Sequence, residues 1–233
     1  MNRLRAFLPL LLLLAIGAGL YASGVLQRFD PHHVAQDEAM LRSGLAGHPW
    51  LGALFQVGAL ALVIATGVPG GIVLVLAGGM LFGTVLGTLL STIGAMIGAT
   101  VLYYASRMAF AGGTREAPPL VERLRAGYLA HPFSYTLFLR LVPFFPFGAV
   151  SVALAWLRCP LWIFLVASAL GGVVMITFES ALGAGLTETI AREGQVSLGI
   201  LAQRSVYLPL LGMALVALVP VLVGRLRRPT RKG

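Results

Sequence analysis

Arg140 is the residue of this sequence best suited to bind something. It stands in Phe138-Leu139-Arg140-Leu141-Val142-Pro143-Phe144-Phe145-Pro146, apolar on both sides and with no acid nearby. A guanidinium offers a planar fork of donors that matches the oxygens of a phosphate. At the middle of a membrane helix it costs about 2.5–3.5 kcal/mol, so it faces a cavity or a partner, or else snorkels to the nearer interface. Pro143 and Pro146 remove backbone donors just after it, which favours a broken, cavity-lining segment over a plain helix.

Glu179 is the second ionisable group inside an apolar run, between Met175-Ile176-Thr177-Phe178 and Ser180-Ala181-Leu182-Gly183. Three roles fit it: a proton-carrying site, the counter-charge of Arg140, or a helix-end residue that reaches headgroup water. Glycines supply a third feature. Thr66-Gly67-Val68-Pro69-Gly70-Gly71, and again Gly78-Gly79, interrupt an apolar stretch with residues that weaken a helix. Backbone broken at membrane depth is tolerated only where protein or a water-filled cavity covers it. Gly79, Gly83, Gly87, Ser91, Ala95 and Ala99 recur at four-residue spacing, which suits close helix packing and not substrate contact.

Other chemistry has no residues to do it. No phosphate-cradling glycine loop ending in Lys-Ser or Lys-Thr occurs, no His-Glu-x-x-His helix and no Gly-x-Ser-x-Gly elbow. His32 and His33 stand beside Asp30 as a weak metal contact or, more simply, as solvated loop residues. The expectation is no catalytic residue, no metal, no cofactor, and hence no enzyme.

The composition says what kind of body holds these residues. Of 233 residues, 58% are hydrophobic and 11% charged, against about 25% charged in soluble domains. Mean hydropathy of +0.90 agrees. Disorder, a coiled coil and a nucleic-acid module are excluded, despite a net charge of +9. The expected fold is all-α, a polytopic helical membrane bundle. Cys159 is the single cysteine, so no intrachain disulfide and no thiolate cluster can form.

Apolar runs of roughly 20 residues cross a bilayer as helices. Phe7 to Leu26 is the first, an uncleaved helix or a signal peptide. Residues 50–106 are almost free of charge and read as helix, break, half-helix and full helix. Within 107–131, Leu120, Leu124 and Tyr128 recur every four residues, as in a short interfacial helix. Pro132 to Trp156 is a second broken stretch, and Leu161 to Leu186 and Val206 to Gly224 are further spans. Three regions follow: 1–49, an N-terminal transmembrane helix and extracytoplasmic loop; 50–190, a core with re-entrant segments at 66–86 and 132–157; and 191–233, a last helix with a basic tail. The N-terminus, the 107–131 loop and the tail hold eleven Arg and Lys, and the other two connections hold four. Cytoplasmic loops carry that excess, which places the tail inside.

Gly78-Gly79-Met80-Leu81-Phe82-Gly83, then Gly87, Gly94, Gly98, Tyr103 and Arg107, resemble the first conserved block of the DedA superfamily, the VTT-domain or SNARE-associated Golgi proteins. Arg140-x-x-Pro143-x-x-Pro146 resembles that family's second re-entrant motif. Together the blocks cover roughly Leu54 to Gly185, and the branch with the yeast Golgi vesicle protein and many bacterial members is the most similar. The resemblance implies two opposed re-entrant hairpins in a transporter-like arrangement, and movement of lipids between leaflets. Two departures limit the transfer. The acids of bacterial members' first hairpin have no counterpart between Trp50 and Ser106, and the Asn common after the second motif is replaced by Phe147-Gly148.

The expected function is a scramblase- or flippase-like carrier of a phospholipid or polyprenyl-phosphate-type lipid in a bacterial inner membrane. Arg140 contacts the phosphate, Pro143 and Pro146 keep its hairpin broken, and Pro69, Gly70, Gly71, Gly78 and Gly79 form the opposing hairpin. Glu179 is the candidate for coupling to protons. The partners expected are membrane lipids with an anionic headgroup, and no nucleic acid. A secondary transporter for a small soluble anion and a non-transporting assembly or envelope-maintenance factor are the alternatives. Cysteines placed at Thr114 and Thr230 in a Cys159→Ser background should react with an impermeant reagent from the same, cytoplasmic side; opposite accessibilities would contradict this topology.

Overall fold

The computed structural model describes residues 3–24, 48–68, 70–110, 119–142, 146–193 and 204–226. Every element among them is helical: α1 (Arg3–Ala22), α2 (Pro49–Thr66), α3 (Gly71–Phe110), α4 (Pro119–Ala130), α5 (Pro132–Leu141), α6 (Phe147–Trp156), α7 (Leu161–Glu193) and α8 (Arg204–Leu226). α2, α3 and Leu161–Thr187 of α7 are each long and apolar enough to cross a membrane. Ile93, Ile97 and Val101 on α3 and Val166 and Leu170 on α7 are exposed, as lipid-facing helix surfaces are. This is an all-α membrane protein.

Drawn straight, the 40 residues of α3 would reach about 60 Å, twice the hydrocarbon thickness. They do not run straight. Gly83 has φ 77° and ψ 178°, a region in effect open only to glycine. Beyond it the chain doubles back. A Cβ on Gly87 would lie 2.9 Å from the Gly78 carbonyl oxygen and 3.1 Å from the Gly79 Cα. The Gln56 amide donates at once to the Leu74 carbonyl at 2.9 Å and to the Ser91 hydroxyl at 3.1 Å, groups about 25 Å apart in an unbroken helix. α3 is therefore a helical hairpin with arms 71–82 and 84–110. α2 lies along both arms: Gly71 and Gly78 meet Ile64 and Gln56 in descending order, Gly94 and Gly98 meet Val57 and Ala61 in ascending order.

The sequence placed the second break at Gly78-Gly79, and the structure moves it to Gly83. Gly78 and Gly79 are helical and buried. A Cβ on Gly79 would strike the Ser180 carbonyl and one on Gly78 the Gln56 amide, so these glycines serve close approach while Gly83 serves the turn. Composition marks all three alike.

α5 and α6 form a second pair, separated by residues 142–146. Its base is pinned at Cys159, whose carbonyl accepts from the Tyr103 hydroxyl and whose thiol touches Tyr128 and Thr136. One core gathers Tyr103, Tyr128, Leu139, Leu154 and Phe164; another gathers Leu60, Val63, Leu74, Ala95 and Ile176. α7 reaches both cores, and α8 covers it where Gly212 meets Phe178. The short helix expected from the 120–128 spacing is α4, and α7 runs past Leu186 to Glu193.

Two glycine variants separate a close backbone approach from open helix surface. Gly79→Val should lose most folded, monodisperse protein in detergent, since overpacking costs about 1–3 kcal/mol or more and here the obstacle is backbone. Gly58→Ala, with open space at its Cβ, should fold at least as well as the parent.

Candidate functional site

Arg140 closes the last turn of α5, and its guanidinium is turned inward, 5% exposed. All three nitrogens donate: Nε to Ser168 Oγ at 2.9 Å, Nη1 to the Phe147 carbonyl at 2.9 Å and Nη2 to Ser151 Oγ at 3.0 Å. The guanidinium carbon lies 3.9 Å from the centre of the Phe147 ring and 5.3 Å from that of Phe164, within cation–π range. α7 comes this close because residue 171 is glycine, where a Cβ would sit 2.6 Å from the Arg140 Cβ. One side chain thus joins α5, α6 and α7.

Every one of those partners is neutral. Of the readings open for Arg140, snorkelling to the interface is overturned by this inward geometry. The counter-charge reading of Glu179 falls as well, because Glu179 follows Gly171 by eight residues, about 12 Å along α7. Among the described residues the ion pair is the exposed Arg125–Glu122 contact on α4, at 3.5 Å. A guanidinium has five N–H groups, and the three hydrogen bonds leave one on each Nη without an acceptor among the described residues. Phe147 O and Ser151 Oγ, themselves hydrogen-bonded at 2.9 Å, take the end-on edge of the guanidinium, so the two spare N–H groups lie on its two flanking edges, each able to donate to one oxygen of an oxyanion.

The remaining candidates divide. Pro146 caps α6 directly before Phe147. Gly148 sits against the Gly67 Cα, so the tip of the second pair touches the turn that precedes the first hairpin. Gly70, at φ 140°, lies in that turn and Gly71 opens α3. Gly78 and Gly79 face away from Arg140, toward Gln56 and Ser180, and Ser180 is the chain neighbour of Glu179. Pro69 and Pro143 lie outside the described residues, as do His32, His33 and the basic tail beyond Leu226. Ser151, Ser168 and the Phe147 carbonyl carry no signal in the sequence, since serines are ordinary in apolar helices. Gln56 does carry one, as a buried amide in a chargeless run. Outside the spans, burial pushes the Tyr128 phenol above its usual range, and the Cys159 thiol beside it adds to the shift.

A family model described as the VTT domain matches residues 68–185. That is half of the chain. The chain belongs to the VTT-domain family. The VTT domain here holds both helix pairs, Arg140 with its three partners, and Glu179, while α1, α2 and α8 lie outside it. The family is one of membrane proteins with transporter-like character. No curated protein and no solved structure matches the chain.

Removing one acceptor leaves a buried N–H of Arg140 unpaired, at a cost of about 1–3 kcal/mol. Ser168→Ala should therefore lower the melting temperature in detergent by several degrees. Ser134→Ala, on the exposed face of α5, should leave it unchanged; equal melting of all three proteins would show that the Arg140 bonds do not hold α7.

Proposed function

We propose that this VTT-domain protein moves a phosphate-bearing lipid between the two leaflets of a bacterial inner membrane, with Arg140 as the group that meets the phosphate. The observation that carries this reading is the buried Arg140 cation, held by neutral dipoles alone and with two donors to spare. Uncompensated cations at such depth call for an anion. Helix length supports a re-entrant reading of the second pair, since α5 and α6 are each about 15 Å long, half of a crossing. In the first hairpin arm 71–82 runs back along α2 and arm 84–110, about 40 Å long, runs out again. Each pair returns the chain to the side it left, so α1, α2, α7 and α8 are the net crossings. Their even number puts both termini on one face, in accord with the arginine-rich tail in the cytoplasm.

Transport has a path in this geometry. Opening at the contact between Gly148 and Gly67 exposes the spare N–H groups of Arg140 to a headgroup, while acyl chains stay in lipid. Glu179 is the proton-carrying group of this scheme, set on α7 behind Gly79. No covalent step is needed, and the protein acts as a carrier and not as an enzyme.

Reconstituted liposomes test the reading. Arg140→Lys, which keeps charge but loses the planar fork, should melt lower than the parent, as Ser168→Ala does, and its folded fraction should retain about a tenth or less of the lipid-translocation rate. Arg140→Ala should abolish it. Normal translocation by well-folded Arg140→Ala defeats the phosphate-site reading, and uptake of soluble phosphate without lipid movement would favour the small-anion transporter.

A further inference from the structure

The ends of α3 and α6 lie side by side, and between them is a cavity of about 260 Å³ lined by Arg107, Phe110, Ala155, Trp156 and Arg158. It holds two arginines and, among the described residues, no acid. The Phe110 and Trp156 rings stand 6.2 Å apart, and aromatic side chains of this kind are enriched at bilayer surfaces.

The two arginines are held in different ways. Arg107 spends Nη1 on the Tyr103 hydroxyl at 2.6 Å and the Cys159 carbonyl at 3.1 Å. Its Nε and Nη2 have no acceptor among the described residues, and that edge takes two phosphate oxygens side by side. Arg158 is exposed and has φ 56°, the sole positive φ outside glycine among the described residues. The reason is the end of α6. The Arg158 N–H bonds the Ala155 carbonyl and the Cys159 N–H bonds the Leu154 carbonyl, the paired pattern whose left-handed position is usually glycine. A long cationic side chain at a position where glycine costs less is strain that folding alone does not explain.

We propose that this cavity is a second anion site, which seats a phosphate group of a membrane-lipid headgroup or of a soluble phosphate between Arg107 and Arg158, with Trp156 and Phe110 as its apolar wall. It is built from different residues than the Arg140 site and does not rest on the role of Arg140. Pre-anchored Arg107 supplies a fixed two-pronged edge, and Arg158 closes from the solvent side. The volume lies just below the roughly 300 Å³ at which small-ligand clefts begin, room for a headgroup and not for acyl chains, which the surrounding bilayer takes.

The test uses the full chain in a neutral maltoside detergent, with Trp50→Phe and Trp162→Phe so that Trp156 alone fluoresces. Dihexanoyl phosphatidic acid and inorganic phosphate are titrated separately. A saturable change in Trp156 emission is expected, and Arg158→Ala should weaken it about tenfold or more. A response to the lipid alone assigns the site to headgroups; responses to both assign it to any phosphate. Arg158→Gly should melt at a higher temperature than the parent yet lose the response, since it relieves the strain and removes the ligand's partner. If the arginines serve only to neutralise the two helix ends, neither ligand saturates and Arg158→Gly melts lower. That result, or unchanged titrations in Arg158→Ala, overturns the proposal.

Discussion

A single cation in a medium without water governs the centre of this protein. Lipid cannot solvate the Arg140 guanidinium, so protein must, and each solvating group imposes a condition on the chain. The Phe147 carbonyl and Ser151 hydroxyl must come from a helix that starts just after Arg140, which requires α5 to end at Leu141 and α6 to begin at Phe147. The Ser168 hydroxyl must come from α7, which approaches only because residue 171 lacks a side chain. Three neutral acceptors and an aromatic face hold the charge well enough to fold. They leave two donors unused, and a site that binds an anion needs that incompleteness.

The same medium shapes the first hairpin through the backbone. Helices satisfy their own N–H and C=O groups, and the turns between them must be covered by protein. The turn after α2 is covered by the tip of the second pair at Gly148. Gly79, Gly87 and Gly183 bring backbones together where a methyl would collide, and Gln56 ties both arms of the hairpin to α2. Small residues and one amide thus replace the hydrophobic driving force that a bilayer withholds between helices. Tyr103, Arg107 and Cys159 do the equivalent at the polar end, where the same contacts shape the cavity beside Arg158.

How far the sequence discloses this depends on the physics of each feature. Helix class, membrane residence and the two broken stretches follow from hydropathy and from proline and glycine, because those act locally. Arg140 stands out for the same reason: a charge in an apolar run is costly wherever it points. What it points at is a matter of tertiary geometry, and nothing in the spacing of Ser151 and Ser168 distinguishes them from other serines. Gly78, Gly79 and Gly83 look alike in sequence, yet two give closeness and one gives the turn. The Glu179 counter-charge idea failed on distance along α7, which only the placement of Gly171 against Arg140 sets. Arg158 was hidden most completely, since its left-handed backbone belongs to a helix end rather than to any motif.

The central claim is that the Arg140 guanidinium meets a lipid phosphate. Solid-state NMR of the protein with isotope-labelled arginine in bilayers measures the dipolar coupling between guanidinium nitrogen and lipid phosphorus directly. The account predicts a close nitrogen–phosphorus contact carried by the signal that vanishes in Arg140→Lys. An Arg140 signal with no coupling to phosphorus, in bilayers where the protein moves lipid, would contradict it.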